Sequence, residues 1–277
     1  MTSKTLPRFK SANGLAYSQS GEGIPVVFIH GVGLRSEAWY QQVDALKADY
    51  SVFTLDMPGH GESDLLDKDQ PSLSDFTEKL AKFIIDVVKQ PAVIVGHSMG
   101  ALLSLSLAEK YPELCLAIVP MNTVYKRSAE AKLAVNLRAL NLTELSHADA
   151  CAPISRWFGD SPSTQDEFHA QLCRDWLSHA DLDGYAAAYR IFASVDGPNT
   201  TSIRNLDMPV LYLTGELDLN SNVSMTEAMT KITPKAEAVI IKDSRHMTPL
   251  THATKVNEAL LSFLKRRLKS TDSSILN

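Results

Sequence analysis

Cysteine is scarce: 277 residues contain three, Cys115, Cys151 and Cys173, and no two form a CxxC pair. An odd, scattered set excludes a disulfide framework and a cysteine-based zinc cluster. Positive charge is also in deficit, with 27 Lys and Arg against 32 Asp and Glu and a net charge of −5. That balance argues against nucleic acid or an anionic membrane surface as the main partner. No run approaches the ~18 apolar residues of a membrane-spanning helix, and residues 1–8 lack an apolar signal core. Internal repeats and low-complexity stretches are missing. The expectation is a cytoplasmic protein, in which the sequons at Asn141, Asn199 and Asn222 carry no glycan.

What is present is an ordinary globular composition, 44% hydrophobic and 21% charged, so a packed core needs no metal or disulfide to hold it. Length alone allows one large α/β domain or two smaller ones. Apolar runs of strand length recur at 24–29, 51–55, 92–95, 115–119, 209–213 and 238–241. Unbroken apolar strands are buried on both faces, which predicts a mostly parallel sheet flanked by helices. Two short extended runs about Asn13-Gly14 predict a leading hairpin with a type I′ turn, which brings the sheet to eight strands.

Helical periodicity fits residues 38–48, 73–89 and 99–111. The second has Phe76, Leu80, Phe83, Ile84, Val87 and Val88 on one face, and Ser72 or Ser74 as N-cap. A last amphipathic helix covers 253–268 with Val256, Leu260, Leu261 and Leu264 inward. Its Lys265-Arg266-Arg267 cluster suits a helix C-terminus. From 123 to 205 only helices are expected. Leu133, Leu137 and Leu140 share one face there, Phe168, Leu172 and Trp176 another, and 181–194 forms one more helix. The chain therefore divides into a discontinuous α/β core, residues 1–122 and 206–277, and an inserted all-helical cap, residues 123–205.

Gly96-His97-Ser98-Met99-Gly100 matches G-x-S-x-G between an expected strand and an expected helix. A serine on that turn needs an unusual backbone angle, and glycines on either side leave room for it. The turn lifts Oγ above the C-terminal edge of the sheet, where open α/β sheets bind ligands. A serine hydroxyl is a weak nucleophile until a base takes its proton, so a histidine and an orienting carboxylate are required. His246 follows the last strand at the same edge; His252, its rival, begins the final helix. Asp218 closes the preceding strand in Leu213-Thr-Gly-Glu-Leu-Asp218, with Glu216 as the alternative. The order Ser98, Asp218, His246 is that of a nucleophile-elbow hydrolase. The Met99 backbone N–H and that of Val32, in His30-Gly31-Val32-Gly33, are candidates to hold an oxyanion, with Gly33 as fallback.

These motifs, together with Asp56-Met-Pro-Gly-His-Gly-Glu-Ser63 and Arg245-His246, resemble the α/β-hydrolase superfamily with a helical cap. The resemblance covers nearly the whole chain and implies the α/β-hydrolase fold, in which the Asp56–Ser63 loop is a structural turn. Within the superfamily the chain is most similar to carboxylic-ester and lactone hydrolases such as 3-oxoadipate enol-lactonases, and the stretch Asp183-Gly-Tyr-Ala-Ala-Ala-Tyr-Arg190 leans that way. Ser98 at the elbow argues against epoxide hydrolases and haloalkane dehalogenases, which use aspartate there. Leu34-Arg35 after Gly33 departs from the H-G-x-G-P-G of many carbon–carbon bond hydrolases.

The expectation is hydrolysis of a small carboxylic ester or lactone by Ser98, His246 and Asp218 through an acyl-enzyme, without metal or cofactor. Carbon–carbon or amide bond hydrolysis, acyl transfer and lyase chemistry stay open on the same scaffold. The partner expected is a small acyl substrate, and the protein a monomer or homodimer. Trp157, Phe158, Trp176, Tyr125 and Phe192 are candidates for a pocket, although large residues at helical spacing more often form core. Arg127, Arg138 and Arg190 are candidates to bind a substrate carboxylate, although such residues are more often solvated surface charges.

Overall fold

The computed structural model describes residues 6–268. Strands β1 (Phe9–Lys10), β2 (Ala16–Ser20), β3 (Ile24–Ile29), β4 (Tyr50–Leu55), β5 (Ala92–His97), β6 (Cys115–Met121), β7 (Val210–Gly215) and β8 (Ala236–Ile241) form one sheet in the order β1-β2-β4-β3-β5-β6-β7-β8. β2 is antiparallel to both β1 and β4, and every pairing from β4 to β8 is parallel.

The alternation of side chains explains why the central strands are apolar throughout. Val27, Ile29, Ile94, Ile118 and Tyr212 pack on one face of the sheet, against helices α2 (Leu73–Phe83) and α3 (Met99–Lys110). Val26, Phe28, Val93, Val95, Val119 and Leu213 pack on the other, against α1 (Tyr40–Leu46) and the C-terminal helix Ala253–Leu268. A strand buried on both sides has no polar face to show.

Between β6 and β7 the chain forms α4 (Ala129–Leu140), α5 (His147–Cys151), α6 (Ile154–Phe158), α7 (Thr164–Ser178), α8 (Leu182–Ser194) and α9 (Thr200–Arg204). Ser128, Ser163 and Asp181 cap α4, α7 and α8 by accepting from an N–H in the first turn. These helices hold a core of their own, including Ile154, Trp157, Cys173, Leu177 and Tyr185. It continues into Leu34, Met247 and Leu250 of the sheet-bearing part. After β7 come α10 (Val223–Ile232), α11 (Thr248–Thr251) and α12 (Ala253–Leu268).

Several local expectations are corrected. The first hairpin does not use a two-residue type I′ turn. Ser11 closes a longer loop by bonding Leu15, and only Gly14 has a positive φ, of 84°. The helix expected at 38–48 opens with a 3-10 turn, Ser36–Trp39, and that at 73–89 widens into a π-type turn at Ile84–Val88. Its cap is Ser72, in a capping box with Asp75. Leu133, Leu137 and Leu140 do share a face of α4, but it points outward, 60%, 52% and 72% exposed. In α12 Leu261 is only half-buried, and Phe263 takes an inward place. The basic cluster at its end is tied down, since Arg266 donates to Glu237 at 2.7 Å.

Candidate active site

Ser98 stands between β5 and α3 with φ 55° and ψ −110°, a conformation that L side chains rarely adopt. Two close approaches hold it there. A Cβ on Gly96 would lie 2.0 Å from the Gly100 carbonyl oxygen, and one on Gly100 would lie 2.1 Å from that of Ile29. The glycines of the motif are thus required by backbone packing, while Ser98 N–H donates to the Met121 carbonyl at 2.9 Å.

His246 lies in the loop after β8, and its Nε2 is 3.2 Å from Ser98 Oγ. Its Nδ1 is 2.8 Å from Asp218 Oδ2, the distance of an N–H donating to a carboxylate. Asp218 is 2% exposed and accepts three more hydrogen bonds: from Asn122 Nδ2 at 2.8 Å and from the N–H groups of Asn220 and Ser221. Burial alone would raise its pKa. The charge and hydrogen bond of His246, with the hydrogen bonds of Asn122 and of the Asn220 N–H, outweigh burial and hold the carboxyl well below the usual range.

The rivals are elsewhere. Glu216 is exposed, and its carboxylate accepts from Asp243 N–H, tying the loops after β7 and β8 together. His252 is half-buried between α11 and α12, with Nδ1 beside Thr251 Oγ1. His97 is fully enclosed and its Nε2 meets the His246 carbonyl at 2.8 Å; burial, then the neighbouring His246, pushes its pKa down to about 3. His30 is also held neutral at about 3, chiefly by burial and then by His60, and its Nε2 accepts from Met57 N–H.

The Asp56–Ser63 loop is a structural turn. Asp56 accepts from Ser36 N–H, Ser36 Oγ, Glu62 N–H and Arg8, and Ser63 Oγ donates to the Asp56 carbonyl. The loop at 30–33 reaches the turn at Ser98 instead: a Cβ on Gly31 would lie 3.2 Å from Ser98 Cβ. Val32 lines the same cavity as Ser98, whereas Gly33 is wedged against Leu177 and Tyr185. Met99 opens α3, so its N–H has no carbonyl one turn back to bond.

Ser98 and His246 open on a cavity of about 270 Å³ between the sheet edge and the helices that follow β6. Of the residues considered for its wall, Trp157, Phe192, Arg127 and Arg138 line it; Phe158, Trp176, Tyr125 and Arg190 do not. The Trp157 ring lies 6.2 Å from that of His246. Sequence reasoning missed Arg156, Tyr185 and Tyr189, which also line the wall, and Asn122 behind Asp218. Asn122 had a legible signal, because it follows β6 at the same sheet edge and asparagine tolerates the positive φ of 52° found there.

A serine at a strand-to-helix elbow, backed by a histidine and a buried carboxylate over a mostly parallel sheet, is the arrangement of a hydrolase site. Residues 26–259 match the model of the alpha/beta hydrolase family, and the chain belongs to that family of hydrolytic enzymes. It is 37% identical over 265 residues, 96% of this chain and 99% of the relative, to (E)-2-((N-methylformamido)methylene)succinate hydrolase of Acinetobacter baylyi. It is 25% identical to 3-oxoadipate enol-lactonase 1 of the same organism over 87% of this chain and 88% of that one. Among solved structures, a thermophilic esterase from Thermogutta terrifontis superposes with TM-score 0.84 at 25% identity, covering 94% of this chain and 98% of that one.

Proposed function

We propose that the protein is a serine hydrolase of a small carboxylic ester or lactone, with Ser98 as nucleophile, His246 as general base and acid, and Asp218 as the group that orients His246. The single observation behind this is the unbroken run Ser98 Oγ, His246 Nε2, His246 Nδ1, Asp218 Oδ2, with contacts of 3.2 and 2.8 Å, at the wall of a cavity. Ser98 Oγ attacks the carbonyl carbon while His246 Nε2 takes its proton. The tetrahedral oxyanion is held by the N–H groups of Val32 and Met99. Collapse breaks the bond to the leaving group, which departs with the proton from His246. Water then repeats the cycle on the acyl-enzyme and releases the acid. Helices in residues 123–205 act as the cap that encloses the acyl group. No cofactor takes part.

A second reading is hydrolysis of an amide-type acyl group. It is favoured by the 37% identical relative, whose substrate is named for an N-methylformamido group. The same residues serve both, because both bonds pass through a tetrahedral oxyanion. The test is turnover of p-nitrophenyl acetate by two histidine variants. His246→Ala abolishes turnover and His252→Ala leaves it largely intact; the reverse pattern overturns the assignment.

A further inference from the structure

The cavity beside Ser98 has three arginines in its wall, Arg127, Arg138 and Arg156, and among the described residues no aspartate or glutamate, in a chain whose net charge is −5. Arg127 is accounted for by the fold. Its side chain is 3% exposed, pairs with Asp196 at 3.3 Å, donates to the Val195 and Phe192 carbonyls, and stacks 4.4 Å over the Phe192 ring.

Arg138 and Arg156 are different. Among the described residues Arg138 on α4 donates only from Nε, to Tyr189 Oη at 2.8 Å, and Arg156 on α6 makes no ion pair. Both are half-buried, so neither is a freely solvated surface charge. Burial and the nearby charge of Arg138 lower the pKa of Arg156. Two like charges facing one cavity without a counter-charge are unfavourable unless an anion completes them. A guanidinium fork matches the two oxygens of a carboxylate, and the hydrogen bonds so formed are charge-assisted.

We propose that Arg138 and Arg156 form a carboxylate-binding subsite, so that the substrate is a short acid bearing a second, hydrolysable acyl group. This rests on the Ser98 hydrolase reading and names its substrate class. The volume agrees: about 270 Å³ is enough for a small half-ester of a diacid. Tyr189 fixes the Arg138 fork by accepting from Nε, which leaves the terminal nitrogens for the ligand.

The test compares mono-4-nitrophenyl glutarate with its methyl ester, which has nearly the same shape and no charge. The wild-type protein favours the free acid by roughly 10- to 100-fold in kcat/KM, the worth of one or two charge-assisted hydrogen bonds. Arg138→Gln and Arg156→Gln each collapse that ratio, chiefly through KM for the acid. Arg190→Gln, an exposed position outside the cavity, preserves it. Equal turnover of the two esters, or a preference that survives both variants, overturns the subsite while leaving Ser98 as nucleophile. If neither ester is turned over, the hydrolase reading fails, and calorimetric titration of glutarate into the Ser98→Ala protein then decides the subsite alone. Saturable binding that is lost in Ser98→Ala/Arg156→Gln supports it, and no binding overturns it.

Discussion

The backbone of Ser98 is the most strained feature of the site, and its cost is measurable. With φ 55° and ψ −110° it stands where any residue with a Cβ is disfavoured, at about 1–3 kcal/mol. Glycine has no such penalty, so Ser98→Gly releases the strain and loses only the backbone entropy of glycine, about 0.5–1 kcal/mol. Ser98→Ala keeps the Cβ and therefore the strain. Both variants delete the contact of Oγ with His246, so subtracting one from the other removes that term. The glycine variant is expected to be the more stable by about 1 kcal/mol, which in a chain of this size raises the midpoint of thermal unfolding by about 2 °C. Scanning calorimetry on the two proteins measures it directly, with both devoid of esterase turnover. A glycine variant that melts at or below the alanine variant would refute the claim that the elbow stores strain.

Other expectations follow from neighbouring contacts. Asn122→Gly keeps the positive φ and deletes the bonds to Asp218 and Thr248; kcat falls about 10-fold or more and stability by about 2 kcal/mol, read by steady-state kinetics and urea unfolding. Unchanged kcat would remove Asn122 from the site. Gly96→Ala drives a Cβ to 2.0 Å from the Gly100 carbonyl, so it destabilises by about 3 kcal/mol or more, and circular dichroism melts would expose a milder effect. His30 and His97 have folded pKa values of about 3, below the unfolded value of about 6.5, so the fold favours their neutral forms. Their stabilisation is complete above pH 6.5 and is lost as pH falls from 6.5 towards 3, with a slope of up to about 1.4 kcal/mol per pH unit for each. Urea midpoints that stay level from pH 7.5 to pH 4 would contradict this.

Strand pattern and elbow were legible because each rests on local chemistry. Val26 to Ile29 and Ala92 to Val95 are apolar at every position, as a strand enclosed by two helical layers must be. Ser98 could be found because it directly follows such a strand, and His246 because it lies in the loop after β8 at the same edge of the sheet. The cavity wall was not legible in the same way. Periodicity shows that Leu133, Leu137 and Leu140 share a face of α4, but tertiary packing decides which face is covered, and it covers Val135 and turns Arg138 to the cavity. Arg156 lies on a five-residue helix, too short for any period to register. Tyr185 and Tyr189, one turn apart and stacked at 6.1 Å, lie within the stretch that carries the resemblance, yet nothing local says that they line the cavity beside Ser98.

The proposed chemistry requires Ser98 to be the attacking group. A fluorophosphonate probe, followed by intact-mass measurement and peptide mapping, tests this most directly. One adduct per chain on the peptide that contains Ser98, lost in Ser98→Ala and slowed in His246→Ala, is the expected result. No adduct on the wild-type protein, or one that persists in Ser98→Ala, would contradict it.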